Sequence, residues 1–143
     1  MPEYKAPIRD MKFVMQELLD CETHYQKLGY EDASLDMVDA IIAEAAKFTE
    51  QVVAPINQIG DEQGCTWTDG VVTTPDGFKE AYNQYVEGGW PTLSQSEKFG
   101  GQGLPHSLNN AIGEFTSAAN HSFAMYPGLS HGALATVEAH GSE

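Results

Sequence analysis

The sequence predicts an all-α domain of about five to six helices, with a small hairpin excursion near residues 65–74. Three observations carry that reading. Apolar residues recur at three- and four-residue spacing in several long segments, and the one strand-like stretch is short. The segment Gly88–Pro105, GGWPTLSQSEKFGGQGLP, has glycines and prolines that break every apolar run, yet helical patterns flank it on both sides. Hydrophobic residues make up 41% and charged residues 20% of 143 residues, a globular composition in a chain of single-domain length.

The first helix is expected from about residue 7 to 25. Pro7 suits a first turn, and Ile8, Met11, Met15, Leu18 and Leu19 form its apolar stripe. LGYEDAS then reads as a turn, with Ser34 or Asp36 as N-cap of the longest helix. That helix carries Met37, Val38, Ile41, Ile42, Ala45, Phe48, Val52, Ile56 and Ile59 on one stripe. Pro55 lies inside the stripe and should kink the helix, because its ring removes a hydrogen bond and crowds the preceding turn; Gly60 is the expected stop. In CTWTDGVVTT the Asp69-Gly70 pair suits a type I′ hairpin turn.

Pro75 and Asp76 open a third helix with Phe78, Ala81, Tyr82, Tyr85 and Val86 on its stripe, closed by Gly88-Gly89. The glycine-rich loop follows, with Trp90, Leu93, Phe99 and Leu104 as candidate apolar anchors. A loop of this length in a compact domain lines a site or packs against another part of the protein. Pro105 starts a fourth helix to about Asn120, burying Leu108, Ala111, Ile112, Phe115 and Ala119. A fifth helical run contains Leu129, Ala133, Leu134 and Val137. Gly141-Ser142 end it, and Ser142-Glu143 has the form of a further helix cap.

Charge narrows the functional classes. Seven Lys and Arg against 21 Asp and Glu give a net charge of −14, which argues against a nucleic-acid groove or an anionic membrane surface. No apolar run approaches a membrane span, and the N-terminus lacks a signal-peptide core, so a cytoplasmic location is expected. Cys21 and Cys65 are expected to be free buried thiols rather than a disulfide. From Phe99 to Glu143 the only formal charges are Glu114, Glu138 and Glu143. Exposed helices carry more charge than this on their outer faces, so the last third reads as built to be covered.

Local motifs for chemistry are weak. His121, His131 and His140 are not one turn apart on a helix, and no HxxxH or CxxC occurs, so no metal site is expected. GGQG lacks the GK[ST] of a phosphate loop. Ser107, Ser117, Ser122 and Ser130 stand in no nucleophile-elbow context.

Order and spacing say more than any motif. The succession of helix, GGWPTLSQSEKFGGQGLP, helix, and MYPGLSHGALATVEAHGSE resembles the N-terminal all-helical domain of the acyl-CoA dehydrogenase family. The opening YKAPIRDMKFVMQELLD resembles the N-terminal extension of its larger bacterial members. The resemblance implies an extension over residues 1–34 and the family's N-terminal helical domain over 35–143, with the middle β and C-terminal helical domains absent. It implies FAD, bound by those absent domains and not held by this chain alone. Catalysis, by the same resemblance, is α,β-dehydrogenation of an acyl-CoA thioester, with a glutamate base from the C-terminal part; no carboxylate here matches that base, and the fragment alone is expected to be inactive.

What the resemblance assigns to this chain is one wall of the acyl pocket, in the region between the fourth and fifth helices, at Ser122, Phe123, Ala124, Met125, Tyr126 and Leu129. Each of these is equally open to a reading as ordinary core at helical spacing. The full-length enzyme would take an acyl-CoA substrate, pass electrons to an electron-transfer acceptor and form a homo-oligomer, with no nucleic acid and no membrane span. An alternative without catalysis is a free-standing acidic helical module that binds a protein partner through its charge-poor last third.

Overall fold

A computed structural model describes residues 3–142 and is helical throughout apart from one hairpin and the glycine-rich loop. Glu143, and with it the second half of the expected terminal cap, lies outside the described residues.

Helix α1 (Ile8–Lys12) runs into a π-helical turn, Phe13–Leu18. Asp20 then adopts a left-handed conformation (φ 46°) and α2 (Cys21–Lys27) starts afresh. The single helix expected over 7–25 is therefore two. The wide turn and the break shift the phase of the buried stripe. Met15, Cys21 and Tyr25 point inward, while Leu18 and Leu19 are exposed. Asp is among the few residues that tolerate this backbone region.

Ser34 caps α3 (Leu35–Phe48), its hydroxyl accepting from the Met37 N–H at 3.4 Å. The chain stays helical beyond α3 by changing pitch, through a π segment at Thr49–Val53 and a 3-10 turn at Ala54–Ile56, into α4 (Asn57–Gln63). Pro55 sits in the tight turn, directly after the wide one, so the irregularity it requires is spread over two turns. Thr49 reinforces the junction, its hydroxyl donating to the carbonyls of Ala45 and Ala46 at 2.9 and 3.0 Å.

Gly60 does not stop the helix. It lies inside α4 against the Phe78 ring, where a Cβ would come within 2.6 Å of Cζ. Strands β1 (Thr66–Thr68) and β2 (Val71–Thr73) pair antiparallel with Thr68 opposite Val71, and Asp69 and Gly70 take the two positive φ values (51° and 85°) that a type I′ turn demands.

Helix α5 (Phe78–Glu87) buries Phe78, Ala81 and Tyr85, while Tyr82 and Val86 remain largely exposed. In the loop that follows, Leu93 is buried and Trp90 and Leu104 pack against the core. Phe99, expected as an anchor, is instead 64% exposed, with the Lys98 ammonium 5.2 Å from its ring centroid. Helices α6 (His106–Ala119) and α7 (His121–His140) follow, hinged at Asn120.

The core has two parts. One gathers Met15, Tyr25, Ile42, Leu108 and Phe115, so the N-terminal helices share it with α3 and α6. The other gathers Val53, Phe78, Tyr85 and Phe123, and Trp90 packs against both. Both cysteines are free, but only Cys21 is buried as expected; Cys65, just ahead of the hairpin, is exposed.

Candidate functional site

Helix α7 is where the sequence placed its candidates, and its geometry starts from Asn120. This side chain is almost wholly buried. Its Oδ1 accepts from the Phe123 N–H at 3.0 Å, capping α7, and its Nδ2 donates to the Val53 carbonyl at 3.4 Å. One residue thus fixes both the start of α7 and its seat on the irregular segment before Pro55. Ser122–Leu129, expected as the region between two helices, lies inside α7, with Pro127 included in the helix.

Helical periodicity then separates the six candidates. Phe123, 1% exposed, points into the core, its ring centroid 6.1 Å from Tyr85, 6.3 Å from Phe78 and 6.5 Å from Phe48. Tyr126 turns toward the hairpin and lines a cavity of about 590 Å³ with Tyr82, Phe78 and Ser130. Its hydroxyl lies 3.7 Å from Cys65 Sγ; this contact, then burial, pushes the phenol above its ordinary value. Ser122, Met125 and Leu129 share an open face, Met125 being 55% and Leu129 73% exposed, with Ala124 half-buried at its margin. The structure therefore does not bring all six to one surface.

The open face holds two residues that the sequence reading passed over. Gly128 and Gly132 continue the stripe beside Met125 and Leu129, and a Cβ built on either would have no neighbour within 4 Å. A glycine inside a helix costs about 1 kcal/mol relative to alanine. Nothing in this chain's own packing calls for that cost. The signal in the sequence is two glycines four residues apart within a helical run.

The glycine-rich loop lies alongside. Its amides are engaged within the loop: Gly101 N–H donates to the Ser96 carbonyl, Gln102 N–H to Thr92, Gly103 N–H to Gln95 and Leu104 N–H to Leu93, all at 2.9–3.1 Å. Donors so committed do not form a phosphate cradle. The residues present therefore do not fit the flavin's pyrophosphate. Among the described residues, no group of three or more His, Cys, Asp or Glu is placed to hold a metal ion, and no helix is long and apolar enough to cross a membrane.

No family model matches the chain. Individual proteins do. It is 34% identical to the 3-methylmercaptopropionyl-CoA dehydrogenase of Ruegeria pomeroyi over 140 residues, which covers 98% of this chain and 24% of that protein. A butyryl-CoA dehydrogenase of Syntrophomonas wolfei is 31% identical over 98% of this chain and 23% of its own length. A broad-specificity linear acyl-CoA dehydrogenase of Mycobacterium tuberculosis is 27% identical over 90% and 21%. The chain spans about a quarter of the length of the curated relatives it matches. Likeness extending over nearly every element described above, from α1 to the open face of α7, makes the chain a homologue of acyl-CoA dehydrogenases, matching about a quarter of their length.

Proposed function

We propose that the chain serves an FAD-dependent acyl-CoA dehydrogenase, acting on an acyl-CoA thioester, and that its own contribution is one wall of the acyl pocket. The observation that carries this reading is the open face of α7. Met125, Leu129 and half-buried Ala124 offer apolar surface, and Gly128 and Gly132 let a chain of methylenes approach the helix backbone. Phe123 supports that wall from behind, and Tyr126 belongs to its hairpin side. Ser122 lies at the exposed first turn of α7, on the same face as Met125.

When bound, FAD supplies hydride acceptance. The loop amides are spent internally, so the residues that hold the flavin belong elsewhere in the longer protein. This chain's residues exclude water from the tail and set its reach. The relatives' names span a sulfur-containing short acyl group, butyryl and broad linear chains, and the α7 face carries the side chains that would distinguish such tails.

The test is made in the longer protein that carries this segment. Met125→Trp and Gly132→Leu each place bulk on the open face, where the present chain offers no clash for a Cβ at 132. The ratio of kcat/KM for a long over a short acyl-CoA should fall by about tenfold or more, since each excluded methylene is worth roughly 1–3 kcal/mol. An unchanged ratio in both variants would show that α7 does not form the wall.

A further inference from the structure

The corner between the hairpin and α5 is pinned by residues that the acyl-pocket reading does not use. Gln63 clasps Asp76 twice, its Oε1 accepting the Asp76 N–H at 2.8 Å and its Nε2 donating to Asp76 Oδ2 at 2.9 Å. Gly77 follows with φ 83°, and α5 starts at once. The turn sets β2 beside α5 and α7, and between them lies the cavity of about 590 Å³ that Tyr126 lines. Its size is that of a small-molecule site.

Phe78 and Phe123, both almost wholly buried, form the floor, with ring centroids 6.3 Å apart. Tyr82 of α5, Tyr126 of α7 and Val72 of β2 also line it, and each has surface left to cover. The two tyrosine rings are already held. Tyr82 stacks on Tyr85, centroids 6.2 Å apart and planes inclined by 29°, and the Tyr126 hydroxyl lies 3.7 Å from Cys65 Sγ. A ligand entering between them has less to order.

The charge of the cavity runs against that of the chain. Lys79, in the first turn of α5, lines it, and no carboxylate does. Three other cavities of the fold each include a carboxylate: Glu44 and Glu87 between α3 and α5, Asp10 and Glu17 along α1, and Glu138 beside the end of α7. With 21 acidic residues against seven basic, a cavity that holds a cation alone is the exception. The ion pairs among the described residues engage Lys5, Lys12 and Lys47, and leave Lys79 without a partner. Asp76, close by in sequence, is committed to Gln63.

We propose that this cavity binds a flat aromatic carboxylate, its ring between Tyr82 and Tyr126 over Phe78 and Phe123 and its anion at Lys79. Aromatic side chains take a planar ring in offset-stacked and edge contacts, and the ammonium supplies the counter-charge. The site goes beyond the acyl-pocket reading and does not depend on it: helical periodicity puts Phe123, Tyr126 and Ser130 on a different side of α7 from Met125, Leu129 and Gly132.

The probe is 2-naphthoate, titrated into the purified chain at low ionic strength and followed by NMR. Binding should be saturable, with a Kd of about 1 mM or tighter. Its uncharged counterpart, 2-naphthalenemethanol, should bind at least about fivefold more weakly, the least that one close charge pair gives in water-like surroundings. Lys79 is exposed, so its variants leave the core intact. Lys79→Met should remove the difference between the two compounds, and Lys79→Arg should keep it. Overhauser contacts from the naphthalene protons should reach the rings of Tyr82 and Tyr126. Absence of saturable binding, equal affinity of the two compounds for the wild-type chain, or a preference that survives Lys79→Met would overturn the site. Contacts to the Met125 methyl in place of the two tyrosines would assign the binding to the open face of α7 and overturn it as well.

Discussion

At the scale of the residue, Asn120 is the most exacting position. Replacing it with alanine removes the cap of α7 and the amide that reaches the Val53 carbonyl, in a site with almost no solvent. Loss of an N-cap costs about 1 kcal/mol and an unpaired buried group about 1–3 kcal/mol, so Asn120→Ala should lower stability by about 2–4 kcal/mol, read as a shift in urea midpoint. Asn120→Asp keeps the cap but not the donor, and should fall between. A midpoint for alanine equal to wild type would mean that α7 is seated by its aromatic contacts alone. Glu50 allows a test by pH. It accepts the Ala6 N–H at 2.9 Å and pairs with Lys5 at 3.2 Å, and the backbone hydrogen bond first, then Lys5, holds its carboxyl below the ordinary 4.5. A carboxyl with a lowered value binds fewer protons folded than unfolded. Its contribution is therefore complete above about pH 4.5 and is lost as pH falls through the folded value. Glu50→Gln keeps an acceptor for Ala6 but has no proton to gain, so its stability should change less over that acid window. Neither residue stood out in the sequence. Asn120 read only as the end of α6, because its two partners, three residues ahead and far back at Val53, are made by the fold.

At the scale of the element, local chemistry was legible wherever the local rule also decided the outcome. Asp69-Gly70 made its hairpin turn, Ser34 capped α3, and the stripe Leu108, Ala111, Ile112, Phe115 and Ala119 is buried as its spacing required. It failed where tertiary packing overruled the period. Leu18 and Leu19 face solvent because a wide turn and Asp20 moved the phase, and Phe99 stands out of the loop that Leu93 and Trp90 anchor. Glycine shows the same contrast. Gly60 looked like a stop and is a packing position, while Gly132 lies inside α7 with no neighbour where its side chain would be. Gly132→Ala should therefore stabilise the purified chain by about 1 kcal/mol through helix propensity. Gly60→Ala should destabilise it by about 1–3 kcal/mol, since the Phe78 ring must move out of the core. Thermal melts of the two variants should move in opposite directions. If Gly132→Ala lowered the melting temperature, the face of α7 would be packed in solution and not open.

At the scale of the molecule, charge and apolar surface are distributed unequally, and the two oppose each other in solution. The net charge of −14 resides almost wholly in the first two-thirds, while α7 exposes Met125, Leu129, Leu134 and Val137 with Glu138 as its one formal charge. The charge-poor third was legible in the sequence, and the geometry adds that its uncovered apolar surface is concentrated on this one helix. Long-range repulsion keeps copies of the purified chain apart at low ionic strength, where the screening length reaches about 30 Å at 0.01 M. Added salt shortens that length to about 10 Å at 0.1 M and leaves the apolar face unopposed. Sedimentation velocity should thus find a monomer at low salt and weight-average association that grows with added salt. A charge placed on the face, as in Leu129→Glu, should suppress it, while a charge on α3, as in Ala40→Glu, should not. Leu129 is 73% exposed and Ala40 is exposed on α3, so neither change disturbs the core. Association that weakens with salt would point instead to charge pairing through the acidic two-thirds, and would remove α7 as the adhesive surface.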